Sequence, residues 1–150
     1  MTDVLDLLEL PHAAVAPGAL VVDAARVLYD VDVGAIAVVE GKRVRGMVTE
    51  DDVMSALFPA YLRELTHTAF VDSDALVRAD AEAAAATTAA EIMRRAELVE
   101  LPASALDVAQ RFLHSDSSAL VAVRDGAFAG VIDQRRFTQA ILTRRYGWQL

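Results

Sequence analysis

The segment from Gly46 to Asp52 carries the residues whose types and spacing best suit chemistry. An apolar strand is predicted to end at Val48, so Thr49 caps a following helix and Asp52 lies in its first turn. A helix N-terminus offers free N–H groups and a positive dipole end to an anion. There a threonine hydroxyl can donate to a phosphate or sugar oxygen, and a carboxylate can accept both hydroxyls of a ribose.

The same spacing also has a purely structural interpretation. Thr49 and Asp52 form a capping box with an acid in place of the usual glutamate, and such short motifs are common at helix starts. Gly46, before the end of the strand, would let a flat ring approach the backbone closely. Ligand binding and simple helix capping therefore both remain open from this segment alone.

The elements that must position this segment occur twice in the chain. Residues Leu20 to Leu57 align without a gap with Ser104 to Ile141, at the offset of 84 that separates Gly46 from Gly130. Identity is low, but the apolar pattern agrees over the whole length. Internal repetition of this kind indicates two copies of one supersecondary unit.

Each copy predicts the same series of elements. An amphipathic helix opens at Asp23 or Asp107, and a second helix begins at about Glu50 or about Gln134. Two strands joined by a glycine turn lie between these helices, and a short strand precedes the first helix. The strands are predicted at Ala14 to Ala16, Ala35 to Val39, Leu98 to Leu101 and Ala119 to Val123, with the later strands ending near Val48 and Ile132.

This β-α-β-β-α unit is too small to bury a core of its own, so two units must stack their sheets. The sequence therefore predicts an α+β fold of two repeats, packed with pseudo-twofold symmetry around a cleft. The 150-residue chain has a net charge of −8, which disfavours nucleic acid and anionic membranes as partners. Local basic pairs, among them Arg94-Arg95 and Arg135-Arg136, are interpreted mainly as solvated surface.

Several other functions are disfavoured by the composition. His12, His67 and His114 are too widely spaced for a metal site, and there is no Gly-rich phosphate loop or nucleophile elbow. Asp51 and Asp52 point about 100° apart on a helix, so they do not form a catalytic dyad. We therefore expect no catalytic activity, no metal and no cofactor. Without a signal peptide or a run of about 20 apolar residues, we expect a cytoplasmic location.

The two units, with G-h-h-T-x-x-D after the last strand of the first, resemble CBS domains over about residues 4 to 146. The resemblance implies a CBS repeat at 1–58, an inter-repeat helical or linker segment at 59–91, and a second repeat with a C-terminal tail at 92–150. It also implies a flat regulatory module that forms homodimers and binds adenosine-containing ligands in the clefts between its repeats. Apolar helix faces at Val53, Leu57, Phe137 and Ile141 are predicted to form the dimer interface.

The resemblance implies roles for particular residues of this chain. In CBS domains the Thr and Asp of the motif contact phosphate and ribose, which here would be Thr49 and Asp52. The adenine is held by the first strand and the start of the middle strand, here Ala14 to Pro17 and Ala35 to Val38. The predicted ligand-binding set is Thr49, Asp52, Val15, Ala16, Pro17, Ala35, Ala37, Val38, Met47 and Arg136.

The second repeat departs from this pattern, because Asp133 stands where Thr49 does and Arg136 where Asp52 does. Asp133 would repel a phosphate and Arg136 cannot accept from ribose, so we expect at most one nucleotide per chain. Arg136 could reach a phosphate in the first cleft or pair with Asp51 or Asp52. The ligand, whether AMP, ADP, ATP, S-adenosylmethionine or a cyclic dinucleotide, stays open. The alternative function is a ligand-free interaction module that regulates an unidentified partner protein.

Overall fold

The computed structural model describes residues 2–58, 82 and 85–149. The first repeat comprises β1 (Ala14–Val15), α1 (Val21–Val31), β2 (Ala35–Glu40), β3 (Arg43–Thr49) and α2 (Glu50–Leu57). A short helix, α3 (Ala89–Ile92), precedes the second repeat, which comprises β4 (Leu98–Glu100), α4 (Ala105–Leu113), β5 (Ala119–Arg124), β6 (Ala127–Asp133) and α5 (Gln134–Tyr146). A 3-10 helix at Val4–Asp6 begins the described chain.

Both repeats have the predicted β-α-β-β-α order, which confirms the α+β fold class. Helices α2 and α5 begin at the predicted residues, whereas α1 and α4 begin two residues before Asp23 and Asp107. Helix α4 begins earlier because Ser104 is its N-cap, and Asp107, the third residue of the helix, completes a capping box with Ser104. The predicted inter-repeat segment 59–91 falls mostly outside the described residues.

Each repeat forms a three-stranded sheet in which the middle strand pairs with both others. The sheet orders are β1-β2-β3 and β4-β5-β6, with the first pair parallel and the second antiparallel. Ala37 faces Met47 in the first sheet, and Val121 faces Val131 in the second, so the registers correspond at the predicted offset. The hairpin turns use positive φ at Gly41 in one repeat and at Asp125 and Gly126 in the other.

The two sheets pack on one another through their second and third strands. Strands β5 and β6 insert Ala119, Val121 and Val131 into the core of the first repeat. Burial of apolar side chains at this interface removes surface that neither small unit could cover alone. The second repeat thus contributes side chains to the core of the first, beside a second core cluster of its own. None of the described helices has the length and apolarity that crossing a bilayer would require.

The segments that lead into each repeat cross over to the other one. Before β4, Arg94 exchanges two backbone hydrogen bonds of 2.9 Å with Met47 of β3. Before β1, the carbonyl of Pro11 accepts from Val131 of β6 at 3.0 Å. The N-terminal 3-10 helix packs on the second repeat through Val4, and α3 is hydrogen-bonded to the first. Each repeat is therefore covered by the segment that leads into the other repeat.

The structure corrects the predicted apolar helix faces. Val53 is 3% exposed and Phe137 is 5% exposed, because both side chains face the sheets of their own repeats. The prediction that these two residues lie on an open surface is therefore wrong. Exposed apolar side chains do occur on the same helices, at Met54, Leu57 and Tyr146, and on α1 at Tyr29.

Glycines permit the close approach of the crossing segments, and this generates a prediction. A Cβ on Gly130 would lie 2.7 Å from the Cβ of Leu10, at a φ of +141° that side chains rarely adopt. We expect Gly130→Ala to reduce the free energy of unfolding by more than about 1 kcal/mol, because it adds both strain and a clash. The midpoint of urea unfolding measures the effect.

Gly18→Ala is the matched control, since a Cβ on Gly18 would meet nothing within 4 Å. We expect this variant to change the free energy of unfolding by less than about 1 kcal/mol. Equal urea midpoints for the two variants would contradict the proposed packing of Leu10 against β6.

Candidate functional site

Thr49 and Asp52 form the predicted capping box at the start of α2. The Asp52 amide donates to Thr49 Oγ1 at 3.3 Å, while the Thr49 amide and hydroxyl donate to Asp52 Oδ2 at 2.9 and 3.0 Å. The structural interpretation of the motif is thereby confirmed. Both side chains also stand at a helix N-terminus, where the free N–H groups and the positive dipole end attract anions.

The Asp52 carboxylate is also held by Arg94, which the sequence analysis had assigned to solvated surface. Arg94 Nε donates to Oδ2 at 2.9 Å, and Nη2 donates to Oδ1 at 2.7 Å. The Asp52 side chain is 13% exposed and that of Arg94 is 49% exposed. With two donors from Thr49 and a bidentate guanidinium, the roughly four lone-pair sites of the carboxylate are filled.

These contacts control the charge state of Asp52. Burial raises the pKa of this carboxyl, but the hydrogen bonds from Arg94 and Thr49 outweigh burial and hold it below its ordinary value of 3.8. The same pair raises the pKa of Arg94. Asp52 is thus an anion at neutral pH, as an acceptor of sugar hydroxyls must be, but its acceptor sites are already in use.

A cavity of about 230 Å³ lies between the two repeats, and of this pair Arg94 lines it and Asp52 does not. Thr49 and Arg94 line one part of it, and Asp116, Ser117 and Ser118, which lead into β5, line another. Thr49 therefore faces the segments that precede β4 and β5 of the second repeat. The remaining residues that line the cavity are Gly34, Glu50 and Asp51.

The corresponding position in the second repeat is occupied by contacts within the protein. Asp133 is 4% exposed, and its carboxylate accepts from the Gly34 amide at 2.7 Å and from the Arg136 amide at 3.3 Å. The guanidinium of Arg136 donates to the carbonyl of Val31 at the end of α1. Arg136 thus neither pairs with Asp52 nor lines the cavity beside Thr49.

Of the residues predicted to hold an adenine, Ala35 pairs directly with Thr49 in the β2–β3 ladder, whereas the β1 residues lie elsewhere. Val15 and Ala16 line a separate cavity of about 640 Å³ near the β2–β3 turn, together with the contacting rings of His12 and Phe128. Four of the predicted side chains, Ala35, Ala37, Val38 and Met47, are at most 1% exposed. The carbonyl of Pro17 accepts from the amide of Ala90 in α3. The structure therefore does not bring the predicted set together around one cavity.

Gly46 also has a different neighbour from the expected flat ring. A Cβ at this position would lie 2.8 Å from the Arg94 carbonyl oxygen and 2.8 Å from the Met93 sulfur. The glycine is required because the crossing segment runs directly over β3. It thereby fixes the backbone of Arg94 beside Thr49 and Asp52.

The fold and the cleft define a class of protein: a two-repeat α+β module with a helix N-terminus directed at the inter-repeat cleft. Residues 2–59 match the family model of the CBS domain. Residues 2–59 are therefore identified as a CBS domain, and the whole chain has the two-repeat fold of solved CBS-domain structures. No curated protein matches the chain.

Solved structures share the fold at low sequence identity. A CBS domain-containing protein of unknown function from Kribbella flavida is 18% identical, with a TM-score of 0.75 over 95% of this chain and 99% of that one. The CBS domain of a membrane protein from Sphaerobacter thermophilus is 18% identical, with a TM-score of 0.72 over 93% and 88%. A candidate signal-transduction protein with CBS domains from Burkholderia ambifaria is 19% identical, with a TM-score of 0.64 over 93% and 88%.

The ion pair makes a prediction about titration. Arg94→Ala removes the hydrogen bonds and the positive charge that lower the pKa of Asp52 but leaves much of its burial, so we expect this pKa to rise. Carbon-detected NMR titration of the carboxylate measures it. The lowered pKa of Asp52 stabilises the folded protein above pH 3.8, and this contribution is lost as the pH falls through the folded-state pKa. The free energy of unfolding of the wild type should therefore fall more on acidification than that of Arg94→Ala.

Arg95→Ala is the control, since no salt bridge of Arg95 is found within the described ranges. We expect it to leave the titration of Asp52 unchanged. An Asp52 pKa that is equally unchanged in Arg94→Ala would show that the pair does not persist in solution.

Proposed function

We propose that this chain is a regulatory module that binds an adenosine-containing ligand in the first cleft, beside Thr49 and Asp52. The observation that carries the proposal is an ionised carboxylate and a hydroxyl at the N-terminus of α2, next to a cavity between the repeats. This arrangement offers groups for a ribose and a phosphate. The proposed role is regulation, and it requires no catalysed reaction.

The position of the cleft favours the second repeat as the side that holds the base. Thr49 shares its cavity with Arg94 and with Ser117 and Ser118, which precede β4 and β5. The base would therefore lie against the second repeat, and not against the first-repeat segments that the sequence analysis proposed. The cavity of about 230 Å³ is below the usual range for ligand sites, about 300–1,000 Å³, so binding requires Arg94 to move.

The second cleft favours a stoichiometry of one ligand per chain. Asp133 is buried and accepts from the Gly34 amide, and the Arg136 guanidinium is committed to the carbonyl of Val31. A ligand there would place its phosphate next to the Asp133 carboxylate, which would repel it. We therefore retain the expectation of a single nucleotide site.

The first test compares two capping boxes of the same type. Asp52→Ala and Asp107→Ala each remove the third residue of a box, which should cost about 1 kcal/mol of stability, and Asp52→Ala should cost more because it also removes the ion pair with Arg94. Only Asp52→Ala should weaken adenosine-ligand binding, by about tenfold or more, because charged hydrogen bonds to the ribose are lost. Isothermal calorimetry with AMP measures both affinity and stoichiometry.

The possible results separate the two interpretations of Thr49 and Asp52. Equal affinity in the wild type and Asp52→Ala, with lower stability in the variant, would make the motif a helix cap alone. Two equivalent sites per chain would contradict the asymmetry of the clefts. Undetectable binding of adenosine ligands would favour the alternative, a ligand-free interaction module that regulates a partner.

The exposed helix residues favour self-association, and we propose a homodimer formed by the outer faces of α1 and α2. Tyr29 on α1 is 59% exposed and Met54 on α2 is 55% exposed, and the two helices pack side by side. Apolar side chains on adjacent helices offer a surface that a twofold contact would cover. This surface replaces the one predicted around Val53 and Phe137.

Light scattering at micromolar concentration tests the dimer. We expect the mass of two chains for the wild type and a shift towards one chain for Met54→Glu, because a charge would be buried in the interface. Leu98→Glu, on β4 where Leu98 is 43% exposed, should leave the mass unchanged. A wild-type mass of one chain would refute the proposal.

A further inference from the structure

The first cleft holds one cation among several carboxylates, and the cation is bonded to the proposed ribose acceptor. Arg94 is the cationic residue among those that line the 230 Å³ cavity, and Glu50, Asp51 and Asp116 line it too. We propose that this arrangement selects an adenosine ligand with a single anionic group, of the nucleoside 5′-monophosphate class. The inference rests on the proposed function and specifies its ligand.

The first step concerns neutral nucleosides. Asp52 Oδ2 accepts from the Thr49 amide, the Thr49 hydroxyl and Arg94 Nε, and Oδ1 accepts from Arg94 Nη2. Ribose hydroxyls can bond to this carboxylate only after the guanidinium leaves. A neutral nucleoside would replace a bidentate ion pair with hydroxyl–carboxylate hydrogen bonds and leave Arg94 without an anion, so it should bind poorly.

The second step concerns a ligand that carries one phosphate. The backbone of Arg94 is fixed to Met47 by two hydrogen bonds, but its side chain is half exposed and can change rotamer without moving the strand. A phosphate gives the guanidinium a new bidentate acceptor while Asp52 is released to the ribose. The anion of the ligand thus takes the place of Asp52 in the ion pair.

The third step concerns additional negative charge. Glu50 is oriented by a 2.8 Å hydrogen bond from the Tyr29 hydroxyl, and Asp51 follows it at the start of α2. An adjoining cavity, which shares Gly34, Glu50 and Ser118 with the first, adds Asp32 and Asp133 and a single cation, Arg135. Second and third phosphates would extend to a place where carboxylates outnumber the single cation Arg135, so each should weaken binding.

The experiment is calorimetry of adenosine, AMP and ATP with the full chain, in buffer free of divalent cations so that ATP keeps its charge. We expect the affinity for AMP to be at least about tenfold higher than that for adenosine, because the phosphate adds a charged hydrogen bond. We expect AMP to bind about fivefold or more tightly than ATP, because of repulsion by the carboxylates.

Two variants separate the two halves of the proposal. Arg94→Gln should bring AMP and adenosine within about threefold of each other, mainly by weakening AMP and releasing Asp52. The double variant Glu50→Gln/Asp51→Asn should strengthen ATP by about threefold or more and change AMP by less than about twofold. Arg95→Gln is the control for the loss of one positive charge, and it should bind AMP, adenosine and ATP in the same order of affinity as the wild type.

Two results would overturn the inference while leaving the proposed function intact. One is equal affinity for AMP and ATP in the wild type, and the other is an unchanged AMP-to-adenosine ratio in Arg94→Gln. Binding of none of the three ligands, by wild type or Arg94→Gln, would instead overturn the proposed function and this inference with it.

Discussion

The crossing of each lead-in segment to the opposite repeat is the constraint on which the rest of the structure depends. A sheet of three strands is too small to stand alone, and here its third strand is covered by chain that leads into the other repeat. The paired hydrogen bonds between Met47 and Arg94 fix that crossing on the first repeat, and Gly46 leaves the space for it. The cleft is a consequence, because the crossing places a side chain of one repeat against the helix start of the other.

Local sequence pattern was sufficient for the parts of the fold that depend on local physics. The start of α2 at Glu50 and the Thr49–Asp52 box follow from hydrogen bonds three residues apart, and the turn at Gly41 from a positive φ. The packing of Val53 was missed because an apolar residue on a helix shows that one face is buried, without showing which surface covers it. Periodicity identifies elements but not their neighbours.

The candidate site could be predicted only in part, for a related reason. Arg94 lies 42 residues from Asp52, and its only signal in the sequence was a basic pair before a predicted strand. Its role depends on the crossing, which no spacing within one repeat reveals. Val15 and Ala16 line a different cavity from Thr49, which the spacing of residues within one repeat does not reveal.

The asymmetry of the two clefts shows how one fold position can hold two different charge arrangements. In the first repeat a carboxylate in the first helical turn meets a half-exposed guanidinium from the other repeat. In the second, Asp133 is buried against the Gly34 amide, and Arg136 is bonded to the end of α1. A half-exposed guanidinium exchanges one anion for another at little cost, whereas a buried carboxylate such as Asp133 is strongly penalised when it loses its donors. In the proposed function the first cleft would therefore change its ion pair on binding, and the second would hold the repeats together.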